Sequence, residues 1–362
     1  MLVKIQIALA IISMNLKEFS AHLGLSPTTV SRALNGYPEV SEDTRKRVTE
    51  AAEKLSYLPN ARAKRLATGR AMAIGHILPL SKEHEMVNPV FSDFIAGAGE
   101  RYSESGYDLS LSVVRDEDEA QSYRDLAARG NVDGVVVHGP KVNDARIKLL
   151  QELKLPYVVH GRSSEVQEDY NWVDVNNRRA FFRATEFLLD LGHQRIALLN
   201  GQAEMDFASR RQIGYRDALE ARGVSFDDML IANGEMTENY GFATTKAMLE
   251  SANPPTALIV ASIIPAIGAR RAIHDLGLVM GRDVSVIIHD DDLSYFRNDG
   301  EVPIFTATRS SVRDAGRHCA DILIQAIEGA PQSTQNILLE TALTLGQSTG
   351  PAPSFRDILN RA

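Results

Sequence analysis

The 362-residue sequence predicts an α/β protein with a small N-terminal helical domain and a larger region of parallel β-sheet in two lobes. Three helix-start signals lie before residue 45, each followed by apolar residues at helical spacing. From Ala71 onward, short apolar segments alternate with amphipathic stretches, as strands and crossover helices do in parallel sheets. This second region is longer than one compact core usually allows, so we expect two lobes.

Each of the three N-terminal helices has its own start signal. Asn15 suits the N-cap of the first helix, and Gly24 supplies the turn that follows it. Ser26 caps the second helix and Pro27 occupies its first position, where a missing N–H costs nothing. Ser41 opens the third helix, which has acidic residues in its first turn. The apolar residues of all three helices can share one small core.

The second helix has two chemically different faces. Val30, Ala33 and Leu34 form its apolar side. Its other side carries small residues and one arginine: Pro27, Thr28, Ser31 and Arg32. Small residues let a helix approach DNA closely, and an arginine can bind guanine with two hydrogen bonds. Taken alone, such a short pattern is more often a solvated helix, so its context decides.

That context is a long match to one family. The strings LGLSPTTVSRALNG, VSEDTRKRV and AAEKLSYLPNARAKRLATGR resemble the headpiece of the lactose/galactose repressor (LacI/GalR) family of bacterial transcription factors. The resemblance implies a DNA-binding helix-turn-helix headpiece over residues 14–60. It also implies a hinge helix or linker over residues 61–70.

The resemblance implies three groups of DNA-contacting residues. The base-reading positions of the second helix are Pro27, Thr28 and Arg32. Contacts to the DNA backbone come from Thr29, Ser31, Asn35, Tyr57 and Asn60. The hinge helix, from Ala63 to Leu66, enters the minor groove with Leu66 as a wedge between base pairs.

The charge distribution agrees with a headpiece that contacts phosphates. Residues 1–70 contain eleven Lys and Arg against six Asp and Glu, whereas residues 71–362 contain 28 against 41. The whole chain has a formal net charge of −8. A basic N-terminal region on an acidic chain indicates nucleic-acid contact at one end only.

The first 13 residues, MLVKIQIALAIIS, are apolar but too short to span a bilayer. The triplet Ala8-Leu9-Ala10 imitates a signal-peptidase site, yet a secretion signal does not suit a DNA-binding protein. Met14 stands where the family's headpiece normally begins. We therefore expect residues 1–13 to be a doubtful N-terminal extension, and we expect no membrane partner.

The sequence excludes several other classes of site. Cys319 is the only cysteine, which rules out an intramolecular disulfide and fits a reducing cytoplasm. The sequence has no phosphate-loop motif, no strand-linked G-x-S-x-G and no pair of histidines at metal spacing. Gly97 and Gly99 fall inside a helical pattern, so they do not form a phosphate loop. We therefore expect no enzyme activity, no metal and no cofactor.

Seven strands and seven helices can be placed after Ala71. The strand candidates are residues 73–78, 108–114, 132–138, 157–159, 195–200, 256–261 and 284–288. The helical stretches are residues 91–105, 118–128, 144–153, 177–191, 209–222, 240–251 and 266–276. A break in composition near Tyr170 to Trp172 suggests a change of lobe.

By the same resemblance, this region is similar to a periplasmic-binding-protein-like core of two doubly wound lobes. Three crossovers are expected, near residues 171–175, 288–292 and 337–343. The core would span residues 71–346, with residues 71–171 and 292–337 in the N-lobe and residues 172–291 and 338–346 in the C-lobe. Residues 347–362 would form a C-terminal tail that lacks the heptads of a tetramerising coil.

Ligands of such sheets bind beyond the carboxyl ends of the strands, so we expect an effector between the lobes. Arg211 matches the family's R-x-x-G-Y element, whose planar guanidinium grips ligand hydroxyls or a carboxylate. Asp290 corresponds to the Asp of the family's G-Y-D-D element, although three consecutive aspartates can also be a solvated loop. Ser262 stands where sugar-binding members often have Asn, so the pocket has fewer polar groups there.

Four further residues are candidates for the effector pocket. His160 ends a predicted strand and is as often structural as ligand-binding. Phe91, Phe207 and Met236 match positions from which apolar groups cover a sugar face in the family, although each could belong to the core.

These features predict an effector-responsive transcriptional repressor that binds a palindromic operator as a homodimer. A small sugar is the expected effector, and α-glucosides or other oligosaccharides are the class that the resemblance favours. The effector would shift the lobes and the hinge helices and thereby change operator affinity. The alternatives are a corepressor-type regulator with the opposite ligand sign and a solute-binding protein, which the headpiece opposes.

Overall fold

A computed structural model describes residues 14–34, 36–55, 57, 69–79, 88–329 and 334–353. Its contacts divide the chain into two compact units, Met1–Ala71 and Met72–Ala362. Several predicted features lie outside the described residues: the extension over residues 1–13, most of the hinge, and the DNA-contacting candidates Asn35, Asn60, Ala63 and Leu66.

The N-terminal unit contains the three predicted helices. These are α1 (Leu16–Leu23), α2 (Pro27–Leu34) and α3 (Glu42–Lys54). The Asn15 side chain accepts a hydrogen bond from the Glu18 N–H, and the Glu18 carboxylate accepts one from the Asn15 N–H. This reciprocal cap fixes the start of α1. Ser41 caps α3, so the starts expected for α1 and α3 are confirmed. Gly24 ends α1 in the left-handed conformation, as expected.

One small apolar core holds these helices together. Phe19, Val30 and Val48 are fully buried. The Tyr57 ring stacks on the Phe19 ring, with centroids 4.0 Å apart. Helices of 8 to 13 residues are marginal in isolation, so this shared burial is what stabilises them.

The second unit alternates strands with helices. The strands are β1 (Ala73–Pro79), β2 (Asp108–Val114), β3 (Gly134–His138), β4 (Tyr157–His160), β5 (Trp172–Val175), β6 (Ile196–Asn200), β7 (Ile231–Asn233), β8 (Ala257–Val260), β9 (Ser285–Asp290), β10 (Thr306–Arg309), β11 (Asn336–Leu339) and β12 (Ala342–Thr344). The helices are α4 (Pro89–Glu104), α5 (Glu119–Arg129), α6 (Ala145–Leu153), α7 (Asn177–Asp190), α8 (Asp206–Ala221), α9 (Glu238–Leu249), α10 (Ile263–Asp275) and α11 (Val312–Glu328). Six of these elements have no counterpart in the predicted spans: β5, β7, β10, β11, β12 and α11.

The strands form two six-stranded sheets. The N-lobe sheet has the order β11-β5-β4-β3-β1-β2, and the C-lobe sheet has the order β12-β10-β9-β8-β6-β7. All neighbouring strands are parallel except β12, which is antiparallel to β10. The predicted fold class is confirmed: a three-helix domain is followed in the chain by two lobes of doubly wound parallel sheet.

Three crossovers connect the lobes, and one of them differs from the prediction. The first follows β5, and the third lies between β11 and β12. The second lies between β10 and α11, because β10 pairs with β9 in the C-lobe sheet. The prediction of a crossover near residues 288–292 is therefore wrong. Residues 292–309 belong to the C-lobe, not to the N-lobe as predicted. Trp172, in β5, likewise belongs to the N-lobe sheet rather than to the C-lobe.

The C-terminal segment is part of the C-lobe rather than a separate tail. The Val286 N–H donates to the Ser348 carbonyl at 2.8 Å, and the Thr306 N–H donates to the Ser348 hydroxyl at 2.8 Å. Ser348 is fully buried as a result. Residues 347–350 thus tie β9 to β10.

Helices α4 and α11 approach each other closely at Gly97. A Cβ atom at this position would lie 2.0 Å from the Arg313 carbonyl oxygen, a distance that only glycine avoids. Gly97 therefore lies within a helix, as expected, and serves helix packing.

Candidate functional site

Helix α2 presents the polar surface expected of a DNA-reading helix. Pro27, Thr28 and Arg32 are exposed, whereas Val30 and Ala33 on the other face are buried. Two further candidates, Thr29 and Ser31, are half-buried. The Thr29 hydroxyl lies 2.8 Å from the Ser26 hydroxyl, which also accepts from the Thr29 N–H at 3.0 Å. Thr29 therefore takes part in the N-terminal cap of α2.

Tyr57 occupies a different environment from the other DNA-contacting candidates. Only 6% of its surface is exposed, because its ring stacks on Phe19. Burial also raises the pKa of its hydroxyl. The ring belongs to the core of the N-terminal unit, so the structure assigns it a packing role.

A cavity of about 470 Å³ lies between the two lobes of the second unit. His138 and His160, at the carboxyl ends of β3 and β4, line it from the N-lobe. Gly201 and Ala261, directly after β6 and β8, line it from the C-lobe. This is the place where doubly wound sheets bind ligands.

Arg211 is a rigid, buried donor in this cavity. It lies on α8, where its Nε donates to the Asn177 Oδ1 at 2.8 Å and its Nη1 donates to the Ala261 carbonyl at 2.8 Å. Its guanidinium lies 4.9 Å from the Phe181 ring centroid and 4.8 Å from that of Phe207. Burial lowers its pKa to about 10, so it remains charged at neutral pH. These four contacts fix the orientation of the guanidinium plane.

Asp291 supplies a carboxylate to the same cavity. Its Oδ1 lies 3.4 Å from the Nε2 of His289, which also lines the cavity. Burial acts to raise the pKa of Asp291, but the hydrogen bond from His289 and the positive charge of Arg211 outweigh it and lower the pKa. Asp291 is therefore an ionised acceptor in a cavity where Arg211 is the charged donor.

Two residues expected in the cavity lie outside its lining. Asp290 is 1% exposed, and its Oδ1 accepts from the Asp292 N–H at 2.9 Å. Successive side chains at a strand end point in opposite directions, so Asp291 occupies the place that the prediction gave to Asp290. Ser262 is also 1% exposed, and its hydroxyl caps α10 by accepting from the Ile264 N–H at 3.5 Å.

A cluster of histidines and aromatic rings forms the N-lobe side of the cavity. His160 lines it and stacks on the Phe94 ring, with centroids 4.4 Å apart. His138 also lines it, and its Nε2 lies 2.9 Å from the Nδ1 of His76. The His76 Nε2 lies 3.1 Å from the Tyr102 hydroxyl. Burial lowers the pKa of His76 to about 3 and that of His160 to about 4, so both are neutral at physiological pH.

The three apolar candidates, Phe91, Phe207 and Met236, all line the cavity. Phe296, which was not among the predicted residues, lines it as well and comes from the long segment between β9 and β10. The cavity thus combines charged and neutral polar groups with flat apolar surfaces. Such a site suits reversible binding of a small polar molecule that has apolar faces.

Two other kinds of function find no support in the described part of the chain. No group of His, Cys, Asp or Glu side chains there is arranged to hold a metal ion. None of the helices there is long and apolar enough to cross a membrane.

Comparison with known proteins defines the class. A family model for bacterial regulatory proteins of the lacI family matches residues 15–60, and one for a periplasmic binding protein-like domain matches residues 185–349. A curated relative covers 96% of this chain at 43% identity. The chain belongs to the LacI family, whose members are DNA-binding transcriptional regulators and not enzymes.

That relative is the HTH-type transcriptional regulator AglR of Rhizobium meliloti strain 1021, of which the match spans 97%. The HTH-type transcriptional regulator CelR of Thermobifida fusca is 30% identical over 92% of this chain and 97% of its own length. Among solved structures, the lac repressor dimer bound to operator and the anti-inducer ONPF has a TM-score of 0.78 at 27% identity, covering 93% of this chain and 99% of that one. The CelR–cellobiose complex has a TM-score of 0.69 at 29% identity, covering 92% and 99%.

Proposed function

We propose that the interlobe cavity binds a small sugar-like effector, which controls the affinity of the headpiece for operator DNA. The observation that carries the proposal is the presence of Arg211, Asp291 and the rings of Phe91 and Phe207 in one cavity. Sugar hydroxyls need both donors and acceptors, and the apolar faces of a pyranose stack on aromatic rings. The volume also lies within the roughly 300–1,000 Å³ typical of small-molecule sites.

The residue assignment follows from the lining. Phe91, Phe207 and Met236 cover the apolar faces of the effector, and His160 offers a neutral imidazole. Arg211 donates to effector hydroxyls, and Asp291 accepts from them in the role first expected of Asp290. Ser262 acts indirectly by fixing the start of α10, next to the cavity residue Ile264.

The relatives support this effector class. The CelR structure is a complex with cellobiose, a disaccharide, and this chain is similar to it over nearly its whole length. We therefore favour a neutral di- or oligosaccharide, with α-glucosides as the first class to test. Binding would close the two lobes around the sugar, in the manner expected for a two-lobed core.

The DNA-binding part of the proposal rests on α2. Pro27, Thr28 and Arg32 are exposed on one face and would read base edges, while Thr29 and Ser31 stand beside them to contact the DNA backbone. The similar lac repressor structure is a dimer on its operator. This chain would likewise bind a palindromic operator as a homodimer, in the cytoplasm where that DNA lies.

The sign of the response separates two versions of the regulator. If the effector is an inducer, it lowers operator affinity, and if it is a corepressor, it raises operator affinity. Operator affinity measured with and without the sugar gives the sign directly.

The test begins with a thermal-shift screen of maltose, trehalose, sucrose, cellobiose and their monosaccharides at millimolar concentration. A ligand at one hundred times its Kd stabilises the folded state by about 2.7 kcal/mol, which a melting curve detects. An operator is then selected from random duplexes, and its affinity is measured by fluorescence anisotropy with each sugar that binds. Failure of every sugar to shift the melting curve would refute the effector class. Absence of sequence-selective duplex binding would refute the regulatory function.

A further inference from the structure

Two buried aspartates make the same contact across the cleft. Asp93, on α4 of the N-lobe, accepts hydrogen bonds from the N–H and the hydroxyl of Ser294 of the C-lobe, at 2.8 and 3.0 Å. Asp206, the first residue of α8 in the C-lobe, accepts from the N–H of Ser164 of the N-lobe at 2.7 Å and from the Ser164 hydroxyl. In each contact, both serine donors reach the same carboxylate oxygen, Oδ2.

Each aspartate is also held by an arginine of its own lobe. Arg313, on α11, donates to the Asp93 Oδ1 at 2.8 Å. Arg210, one turn along α8, donates to the Asp206 Oδ1. One oxygen of each carboxylate is therefore fixed within its lobe, and the other is presented to the opposite lobe. Asp93 is 4% exposed and Asp206 is 1% exposed, so in this arrangement the serine and arginine donors satisfy two buried carboxylates.

Both contacts adjoin the cavity. Ser294 lies two residues before Phe296, and Asp206 lies directly before Phe207; both phenylalanines line the cavity. The Asp206 N–H additionally donates to the Pro140 carbonyl, a further cavity residue, at 3.0 Å. The walls that touch an effector are thus the segments that the two aspartates bring together.

We propose that Asp93–Ser294 and Asp206–Ser164 are interlobe latches, which hold the cleft closed and so set how strongly operator affinity responds to the effector. This inference rests on the proposed function of the cavity. The latches are reversible because both serines are exposed, so water replaces the serine donors when the lobes separate. The two latches act together with the effector, since all three favour the closed arrangement over the open one.

The latches can be tested on the full-length protein without any ligand. Ala120→Cys in the N-lobe and Met229→Cys in the C-lobe are both at exposed positions, and the native Cys319 is fully buried, so spin labels attach selectively. Pulsed electron–electron double resonance then measures the distance between the two labels. Labelled chains are diluted into unlabelled ones to remove signals between subunits. The latch variants are Asp93→Asn and Asp206→Asn, which keep the size of the side chain.

The chain offers matched controls on the same two helices. Glu100 on α4 pairs with Arg317 of the same lobe at 2.7 Å, and Asp217 on α8 pairs with Arg178 of the same lobe at 2.6 Å. Glu100→Gln and Asp217→Asn therefore remove a carboxylate–arginine pair that does not cross the cleft.

We expect each latch variant to add a population with a longer interlobe distance. We also expect each to change operator affinity in the same direction, by roughly fivefold or more, the lower range of allosteric coupling. The controls should change neither quantity. Ser294→Ala and Ser164→Ala, which remove one donor each and leave the aspartate paired with its arginine, should shift both quantities in the same direction by a smaller amount.

Unchanged distances in both aspartate variants and both serine variants, or equal opening in the controls, would overturn the proposal. Longer distances with unchanged operator affinity would overturn its regulatory part. Since the distance is measured without ligand, failure of the cavity to bind any sugar would refute the proposed effector and leave the distance result interpretable. The two failures are therefore distinguishable.

Discussion

Arg211→Lys keeps a positive charge in the cavity but removes the planar guanidinium group. Arg211 donates to the Asn177 Oδ1 and to the Ala261 carbonyl while its guanidinium contacts the Phe181 and Phe207 rings. The ammonium group of lysine cannot reproduce this combination of contacts. At least one charge-assisted hydrogen bond to the effector is then lost, which costs about 1.5–3 kcal/mol. The Kd for the sugar should therefore rise by roughly 10- to 150-fold.

Isothermal titration calorimetry with the sugar found in the screen measures this change in Kd. Operator affinity without sugar should stay unchanged, because the Arg211 side chain contacts residues of its own lobe and takes no part in either latch. Arg178→Lys provides the matched control, since Arg178 is an exposed arginine of the same lobe that is not part of the cavity lining. An unaltered sugar Kd in Arg211→Lys, in a protein with the wild-type melting profile, would remove Arg211 from the effector site.

Two further predictions concern the headpiece and the histidine cluster. Arg32→Ala should weaken binding to the specific operator by about 1–3 kcal/mol and leave binding to nonspecific duplexes almost unaffected. Lys17→Ala, which removes another exposed charge, from α1, should weaken both alike. Competition anisotropy distinguishes these results, and equal losses for Arg32→Ala would assign it to phosphate. His76 has a folded pKa of about 3, below its ordinary 6.5, so the unfolded state binds more protons between these values. Unfolding free energy should therefore fall as pH falls from 6.5, by up to about 1.4 kcal/mol per pH unit from this group. In urea titrations at pH 7 and pH 5, His76→Gln should lose less stability than wild type, and equal losses would contradict a neutral buried imidazole.

The headpiece could be predicted from the sequence because its signals are local. Asn15, Ser26 and Ser41 each lie next to the helix that they cap, and the apolar spacing within each helix identifies its buried face. The strands with continuous apolar runs, such as β3 and β9, were predictable for the same reason. A continuous run of valines or isoleucines indicates a strand that is buried on both faces of its sheet.

The second crossover could not be placed because β10 carries no such signal. Its sequence, Thr306-Ala307-Thr308-Arg309, is mostly polar, and its buried polar groups are satisfied by residues distant in the chain. The Thr306 N–H donates to the Ser348 hydroxyl, and the Thr306 hydroxyl lies 2.7 Å from that of Thr349. Because β10 is mostly polar and the Thr306 partners lie 42 and 43 residues further along the chain, its sequence does not distinguish it from a loop.

The sequence did not show whether Asp290 or Asp291 lines the cavity, and the reason is geometric. Side chains alternate between the two faces of a strand, so an offset of one residue exchanges the buried aspartate for the one that lines the cavity. Three consecutive aspartates give no local indication of which one faces the ligand. The pair of His76 and His138 was likewise hidden, because a single histidine within an apolar strand indicates nothing until the sheet brings the two side chains together.

The three crossovers also determine when each part of the protein can form during synthesis. The headpiece occupies one continuous stretch near the N-terminus, and the described residues of its core lie between Met14 and Tyr57. The N-lobe sheet, in contrast, is completed only by β11, and the C-lobe only by β12 and Ser348. A ribosome must therefore translate nearly the whole message before a sensing cavity exists. A chain that terminates between Tyr57 and β11 contains α1, α2 and α3 but lacks the strands that complete the two sheets.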